Sequence, residues 1–254
     1  MVPAADVARL VPANHRPGRL LWRFPDLDRP NLDIGELAMT ALRQTAMNAE
    51  TTIAFPKFSG VRCLMMPYIQ GNPRSVPAEY ATYSEIIRDV FIDRNAIGYL
   101  TIDESVAVAG RPHRGARATT SRALHTEAGR IPGKYYAWGG GWGSRHIVTL
   151  DGDVEILLAN NLDGSCAIWD ATHADTSLDG DIGHAAAQYP YLDAVMMNAG
   201  EVHQIGILTP HESLPVKETV KRQFLRIISS GVHGREPYFT ENPLLRHGGD
   251  NRSA

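Results

Sequence analysis

Only two cysteines, Cys63 and Cys166, occur in 254 residues, and they lie far apart in the chain. That excludes a disulfide-stapled scaffold and a cysteine-rich zinc cluster. Long apolar runs are missing too, since none approaches the ~20 residues of a membrane helix. The opening Met1-Val2-Pro3-Ala4-Ala5 lacks the basic-then-apolar order of a signal peptide, so a cytoplasmic address and no membrane partner are the expectation. Excess charge of either sign is absent. The formal net charge is -3 and the basic residues are not gathered in one run, which gives no case for a nucleic-acid surface. There is no internal repeat and no convincing domain boundary. What is present is ordinary for a globular protein, 43% apolar and 21% charged residues, with ten histidines that invite a search for metal ligands.

Taken in order, residues 1–30 read as an irregular arm with Trp22 and Phe24 as anchors. A helix is predicted from the cap Asp33, with Glu36 three residues on as in a capping box, to about Asn48. Thr51 to Phe55 and Val61 to Ile69 read as strands, and Pro77 opens a second helix to about Ile92. Beyond residue 97 strands dominate. Ile97 to Ala109 alternates, and Asp151-Gly152 between His146–Leu150 and Asp153–Leu158 predicts a hairpin. Cys166 to Asp170, Val195 to Met197, Val202 to Leu208 and Val220 to Ser229 complete the strand set. The expected class is α+β, mainly β, with helices packed on an antiparallel barrel or sandwich. One domain over 1–254 is expected, with an arm and helices to 96, a core over 97–230 and a tail over 231–254, disordered from Arg246.

Chemistry-bearing residues cluster late in the chain. Thr209-Pro210-His211 reads as a turn, and Arg222 and Arg226 follow eleven and fifteen positions after His211 on a strand. Four residues apart, the two arginines share a strand face. A histidine followed by inward arginines suits a metal ligand with an anion receptor. A first ligand pair of the form His-x-Asp/Glu occurs twice, as His125-Thr126-Glu127 and His173-Ala174-Asp175. His125 leaves room before His211 for several strands, whereas His173 stands too close and lacks flanking strand pattern. His125 and Glu127 are therefore favoured. His203, a rival to His211 that lacks an arginine eleven residues on, reads as a partly buried histidine bonded to backbone or, by strand parity, as a neighbour of the site, and the Asp175, Asp179, Asp181 spacing does not make a calcium loop.

His125-x-Glu127, a long interval, His211 and then Arg222 resemble the Fe(II)- and 2-oxoglutarate-dependent oxygenases over roughly residues 97–230. The two arginines look like the taurine dioxygenase branch, and the glutamate is similar to the clavaminate synthase and arginine hydroxylase branch. The resemblance implies a double-stranded β-helix (jelly-roll) core with flanking N-terminal helices, and His125, Glu127 and His211 as iron ligands. It implies that Arg222 binds the distal carboxylate of 2-oxoglutarate and that Arg226 contacts the cosubstrate or a substrate carboxylate. Fe(II), 2-oxoglutarate and O2 would be the cofactors, and a small polar molecule such as an amino acid or natural-product intermediate the substrate, to be hydroxylated or otherwise oxidised by desaturation or ring formation. Because Glu127 is kept, halogenation is not expected.

Lys134 to Arg145 holds three glycines between Trp138 and Trp142. It reads either as a lid whose Trp138, Trp142 and Arg145 meet substrate, or as a plug at the barrel end. No Lys-Ser/Thr follows those glycines, so a phosphate cradle is disfavoured. The basic run Arg111 to Arg117 reads as a site entrance or a solvated loop. Thr209 and Ser213, beside His211, are read as turn residues that could instead support the ligand. Two other classes stay open: a cupin-like metal dioxygenase or isomerase without 2-oxoglutarate, and a non-catalytic jelly-roll binding protein. Oligomeric state is not legible.

Overall fold

A computed structural model describes residues 47–112, 122–127, 129–131, 134–136, 149–150, 154–175, 180–229, 232–233 and 239–245, all within the compact unit Ile34–Ala254. The strands are β1 (Met47–Thr52), β2 (Arg62–Ile69), β3 (Ile97–Ala107), β4 (Leu124–His125), β5 (Gly129–Ile131), β6 (Lys134–Tyr136) and β7 (Thr149–Leu150). They continue with β8 (Glu155–Asn160), β9 (Cys166–Ile168), β10 (Val195–Met196), β11 (Glu201–Gly206), β12 (His211–Ser213), β13 (Val220–Ile228) and β14 (Val232–His233). Helix is scarce among the described residues: α1 (Ser84–Asp89) and short 3-10 segments. No helix there is long and apolar enough to cross a membrane.

Two antiparallel sheets carry the fold, one in the order β1-β11-β8-β13-β3-β2 and the other β10-β9-β12-β4. The eight strands β3, β4, β8, β9, β10, β11, β12 and β13 pair first with last and inward: β3 with β13, β4 with β12, β8 with β11, β9 with β10. Strand periodicity then sorts side chains into three layers. Ile156, Leu158, Cys166, Ile168, Ile205 and Ile228 fill the space between the sheets. Leu100, Ile102, Leu225 and Ile227 face outward from the large sheet and are covered by Tyr80, Tyr83, Ile86 and Ile87 of the helical layer. Leu124, Ala167 and Trp169 on the outer face of the small sheet meet Ile182, Ala185 and Tyr189.

Several expectations change. Met47–Thr52 is a strand that pairs with β11, not the end of a helix, and the chain has left the sheet by Ile53; the rest of the expected helix lies outside the described residues. Ile53 N–H donates to the Gly200 carbonyl at 2.7 Å. Gly200 has φ +80°, and a Cβ there would run into the Ile53 carbonyl, so this crossing requires glycine. The expected hairpin fails, because β7 pairs with β14 while β8 pairs with β11 and β13. Asp151-Gly152 itself lies outside the described residues. The helix from Pro77 splits into a 3-10 stretch, Ala78–Tyr83, and α1. Beyond β14, Thr240 and Leu64 exchange hydrogen bonds of 2.7 and 2.9 Å, and the Asn242 amide donates to the Pro67 and Ser75 carbonyls at 2.7 Å. That part of the expected tail is thus tied to β2. Both cysteines are buried and free.

Candidate metal centre

His125 ends β4 and His211 opens β12, directly opposite each other in the antiparallel register. His211 is therefore a strand residue immediately after the turn, and the two imidazoles meet with ring centroids 3.9 Å apart. Glu127 lies two residues past His125, where its N–H donates to the Ile207 carbonyl at 2.9 Å. That bond holds the β4 end against the turn leading to His211. One ligand atom from each of His125, Glu127 and His211 lies within 4.8 Å of the others, and all three residues are buried.

The backbone fixes both rings. His125 Nδ1 donates to the Ala123 carbonyl at 2.8 Å and His211 Nδ1 to the Thr209 carbonyl at 2.9 Å. A carbonyl can only accept, so each Nδ1 carries a proton, and Nε2 is the ring atom left to act as a ligand. His211 Nε2 faces Glu127 Oε1 at 3.2 Å. A metal cation held between them, or a proton on Nε2, satisfies that approach. Two imidazoles and one carboxylate, each imidazole braced through its second nitrogen, fit a divalent transition metal.

The arginines separate. Arg222 and Arg226 share the inner face of β13, about 13 Å apart along the strand at ~3.3 Å per residue, and both are buried. Arg226 Nη1 lies 3.4 Å from both carboxylate oxygens of Glu127, across the gap between the sheets, and its Nη2 is 3.5 Å from Thr101 Oγ1. Thr101 also accepts the Met65 N–H at 3.1 Å, where a bulge puts Met65 at φ 48°. Arg222 has no hydrogen bond or ion pair among the described residues; its guanidinium lies 5.2 Å from the Phe224 ring centroid. Burial lowers its pKa, against the opposing influence of Cys166 and Asp103. Ser213 Oγ and Asn160 Nδ2 are likewise buried without a hydrogen-bond partner. Ser213 shares the face of His211, and Asn160 that of Leu158.

His173 and His203 are not members of this three-residue cluster, although register opposite Leu158 puts His203 on the inner face of β11. His173 Nδ1 meets the Tyr189 hydroxyl at 2.8 Å and its Nε2 the Asp175 carbonyl at 3.1 Å, and burial lowers its pKa. His203 pairs with the Glu201 side chain at 3.2 Å, not with backbone as expected. Thr209 contributes its carbonyl to His211, while its hydroxyl closes the turn by accepting the Gly206 N–H at 3.0 Å. Trp138, Trp142 and Arg145 lie outside the described residues, as do His113 to Arg117. Sequence reasoning missed Thr101 and Glu212. Register alone sets Thr101 opposite Arg226, and no local pattern marks Glu212 as buried.

No family model and no curated protein matches the chain. Two solved structures do. The apo form of the non-heme monooxygenase ThoJ aligns over 56% of this chain and 56% of its own, at 13% identity and a TM-score of 0.30. The nickel complex of ThoJ aligns over 82% of this chain and 87% of its own, at 11% identity and a TM-score of 0.28. The first alignment thus spans only just over half of that protein, and at such scores neither bears on the chemistry of this chain.

Proposed function

We propose that the protein is an Fe(II)- and 2-oxoglutarate-dependent oxygenase with a jelly-roll core, oxidising a C–H bond of a small polar molecule such as an amino acid or natural-product intermediate. The observation that carries the reading is that one interior holds both a buried His-Glu-His cluster and a buried guanidinium with no partner among the described residues. First-with-last strand pairing is what a long antiparallel ribbon adopts when it rolls into a jelly roll. A two-histidine, one-carboxylate set with open positions suits Fe(II) and O2. When bound, the metal and cosubstrate supply the redox chemistry, with decarboxylation to succinate coupled to substrate oxidation.

The chain's own residues bind and orient. His125 and His211 present Nε2, each ring fixed by its carbonyl. Glu127 supplies the anionic ligand, and Arg226, 3.4 Å from both its oxygens, balances its charge beside the place where cosubstrate or substrate would bind. Arg222 receives the distal carboxylate of 2-oxoglutarate. Its planar fork suits a bidentate pair, and a buried cation with no hydrogen-bonded anion gains most from one. A metal dioxygenase or isomerase without 2-oxoglutarate would have no use for that group.

The test is to add Fe(II) and 2-oxoglutarate without oxygen, record the weak visible charge-transfer band, then admit O2 and measure succinate. The band and succinate should form with the wild type and be lost in His211→Ala and Arg222→Ala. Absence of both from the purified wild type, or their persistence in both variants, would sink the reading.

A further inference from the structure

Glu212 stands between His211 and Ser213 but points to the opposite face of the small sheet, where it is 2% exposed. A carboxylate there needs compensation, and four donors supply it. Arg122 donates Nε at 2.9 Å and Nη2 at 2.7 Å to Oε2, and the Tyr191 hydroxyl reaches the same oxygen at 3.1 Å. The Ala123 N–H donates to Oε1 at 3.1 Å. Arg122 is held in turn by the carbonyls of Ala186 and Tyr189 at 3.0 and 2.8 Å.

This pair links the two histidine-bearing strands through Ala123. Glu212 holds the Ala123 N–H, and the Ala123 carbonyl accepts His125 Nδ1. The equivalent support for His211 is local, because Thr209 is fixed by two bonds to Gly206 within its own turn, at 3.2 and 3.0 Å. A buried ion pair adds little stability over a well-packed apolar pair of similar shape, and its best-attested use is to fix register.

We propose that Glu212, held by Arg122, is a positioning residue for the metal centre, anchoring Ala123 so that its carbonyl orients the His125 ring and fixes the tautomer that leaves Nε2 bare. This rests on the reading of His125, Glu127 and His211 as a metal site. Two double variants separate positioning from bulk stability without leaving a buried charge unpaired. Arg122→Met with Glu212→Gln keeps an oxygen for the Ala123 N–H, whereas Arg122→Met with Glu212→Leu does not. The measurements are Co(II) affinity, with thermal stability alongside, and the 15N signature of the His125 tautomer in the metal-free protein. The glutamine variant retains near wild-type affinity and the Nδ1–H tautomer. The leucine variant binds Co(II) about tenfold to hundredfold more weakly and shows a mixed tautomer. A leucine variant that keeps wild-type affinity and the Nδ1–H tautomer, changing only in thermal stability, overturns the positioning role alone. Failure of the wild type to bind Co(II) overturns the metal site and the positioning role with it.

Discussion

Replacing Glu104 by glutamine gives a sharp test of how the scaffold under the site is held. Glu104 lies on the outer face of β3, and every hydrogen-bond partner of its side chain there is a donor. Oε2 accepts the Ser59 N–H at 2.6 Å, the Ser59 hydroxyl at 3.1 Å, the Val61 N–H at 3.2 Å and the Gly60 N–H. Oε1 accepts the Tyr83 hydroxyl and Gln223 Nε2, both at 2.8 Å. A glutamine must aim its NH2 at donors in either orientation. The milder choice faces Tyr83, whose hydroxyl can turn to accept, and Gln223, which keeps its bond to the Pro56 carbonyl at 2.9 Å. Losing bonds worth about 1.5–3 kcal/mol each to a charged group, with partial recovery at Tyr83, costs about 3–4 kcal/mol. For a chain of this size that lowers Tm by roughly 6–15 °C.

The effect depends on pH with a definite sign. Burial would raise the Glu104 pKa, but the donors from Ser59, Tyr83, Gln223 and Gly60 outweigh it and hold the carboxyl below its ordinary value. Its contribution is therefore complete above the unfolded value of about 4.3 and is lost as pH falls through the lower folded value. Denaturation of wild type and Glu104→Gln, followed by circular dichroism at about pH 7, 5 and 3.5, should give a constant gap at the first two and a narrower one at the last. Co(II) affinity stays unchanged, because Glu104 lies across the sheet from the triad. A gap under about 1 kcal/mol at neutral pH, or one that does not narrow in acid, would refute the reasoning.

Two further outcomes follow from buried groups. Arg222→Met should leave Tm unchanged or raise it, because it removes a buried charge that has no hydrogen-bonded partner among the described residues, while abolishing 2-oxoglutarate-dependent succinate release; a large fall in Tm would mean that the guanidinium has a structural partner. Burial pushes the Cys63 thiol up to about 12 and Cys166 up to about 11, so neither should react with a thiol reagent in the native protein near pH 8, and both should react once it is unfolded.

Elements with a long, self-consistent pattern were legible in advance. β2, β3 and β13 fall within a residue or two of their predicted spans, because alternation over eight or more residues specifies a strand and its faces. The preference for His125-x-Glu127 over His173-x-Asp175 rested on chain length between ligands, and the structure brings the former pair to His211 while His173 bonds to Tyr189. Local signals failed where pairing is distant. Asp151-Gly152 favours a hairpin, but β8 finds its partners in β11 and β13. A capping box suggested helix to Asn48, yet Met47–Thr52 adds a strand beside β11.

The sequence by itself determined which residues could share a face, because strand periodicity is a property of neighbours. It placed Arg222 and Arg226 together, and it supplied two histidines and a glutamate at a workable interval. Only the tertiary structure decided what each of those faces meets. Closure of the two sheets turned Arg226 toward Glu127, left Arg222 without a partner among the described residues, and buried Glu212 against Arg122 from a segment ninety residues away. Such pairings arise between strands remote in the chain, so no local pattern carries them, and burial then sets how strongly each charge needs its partner.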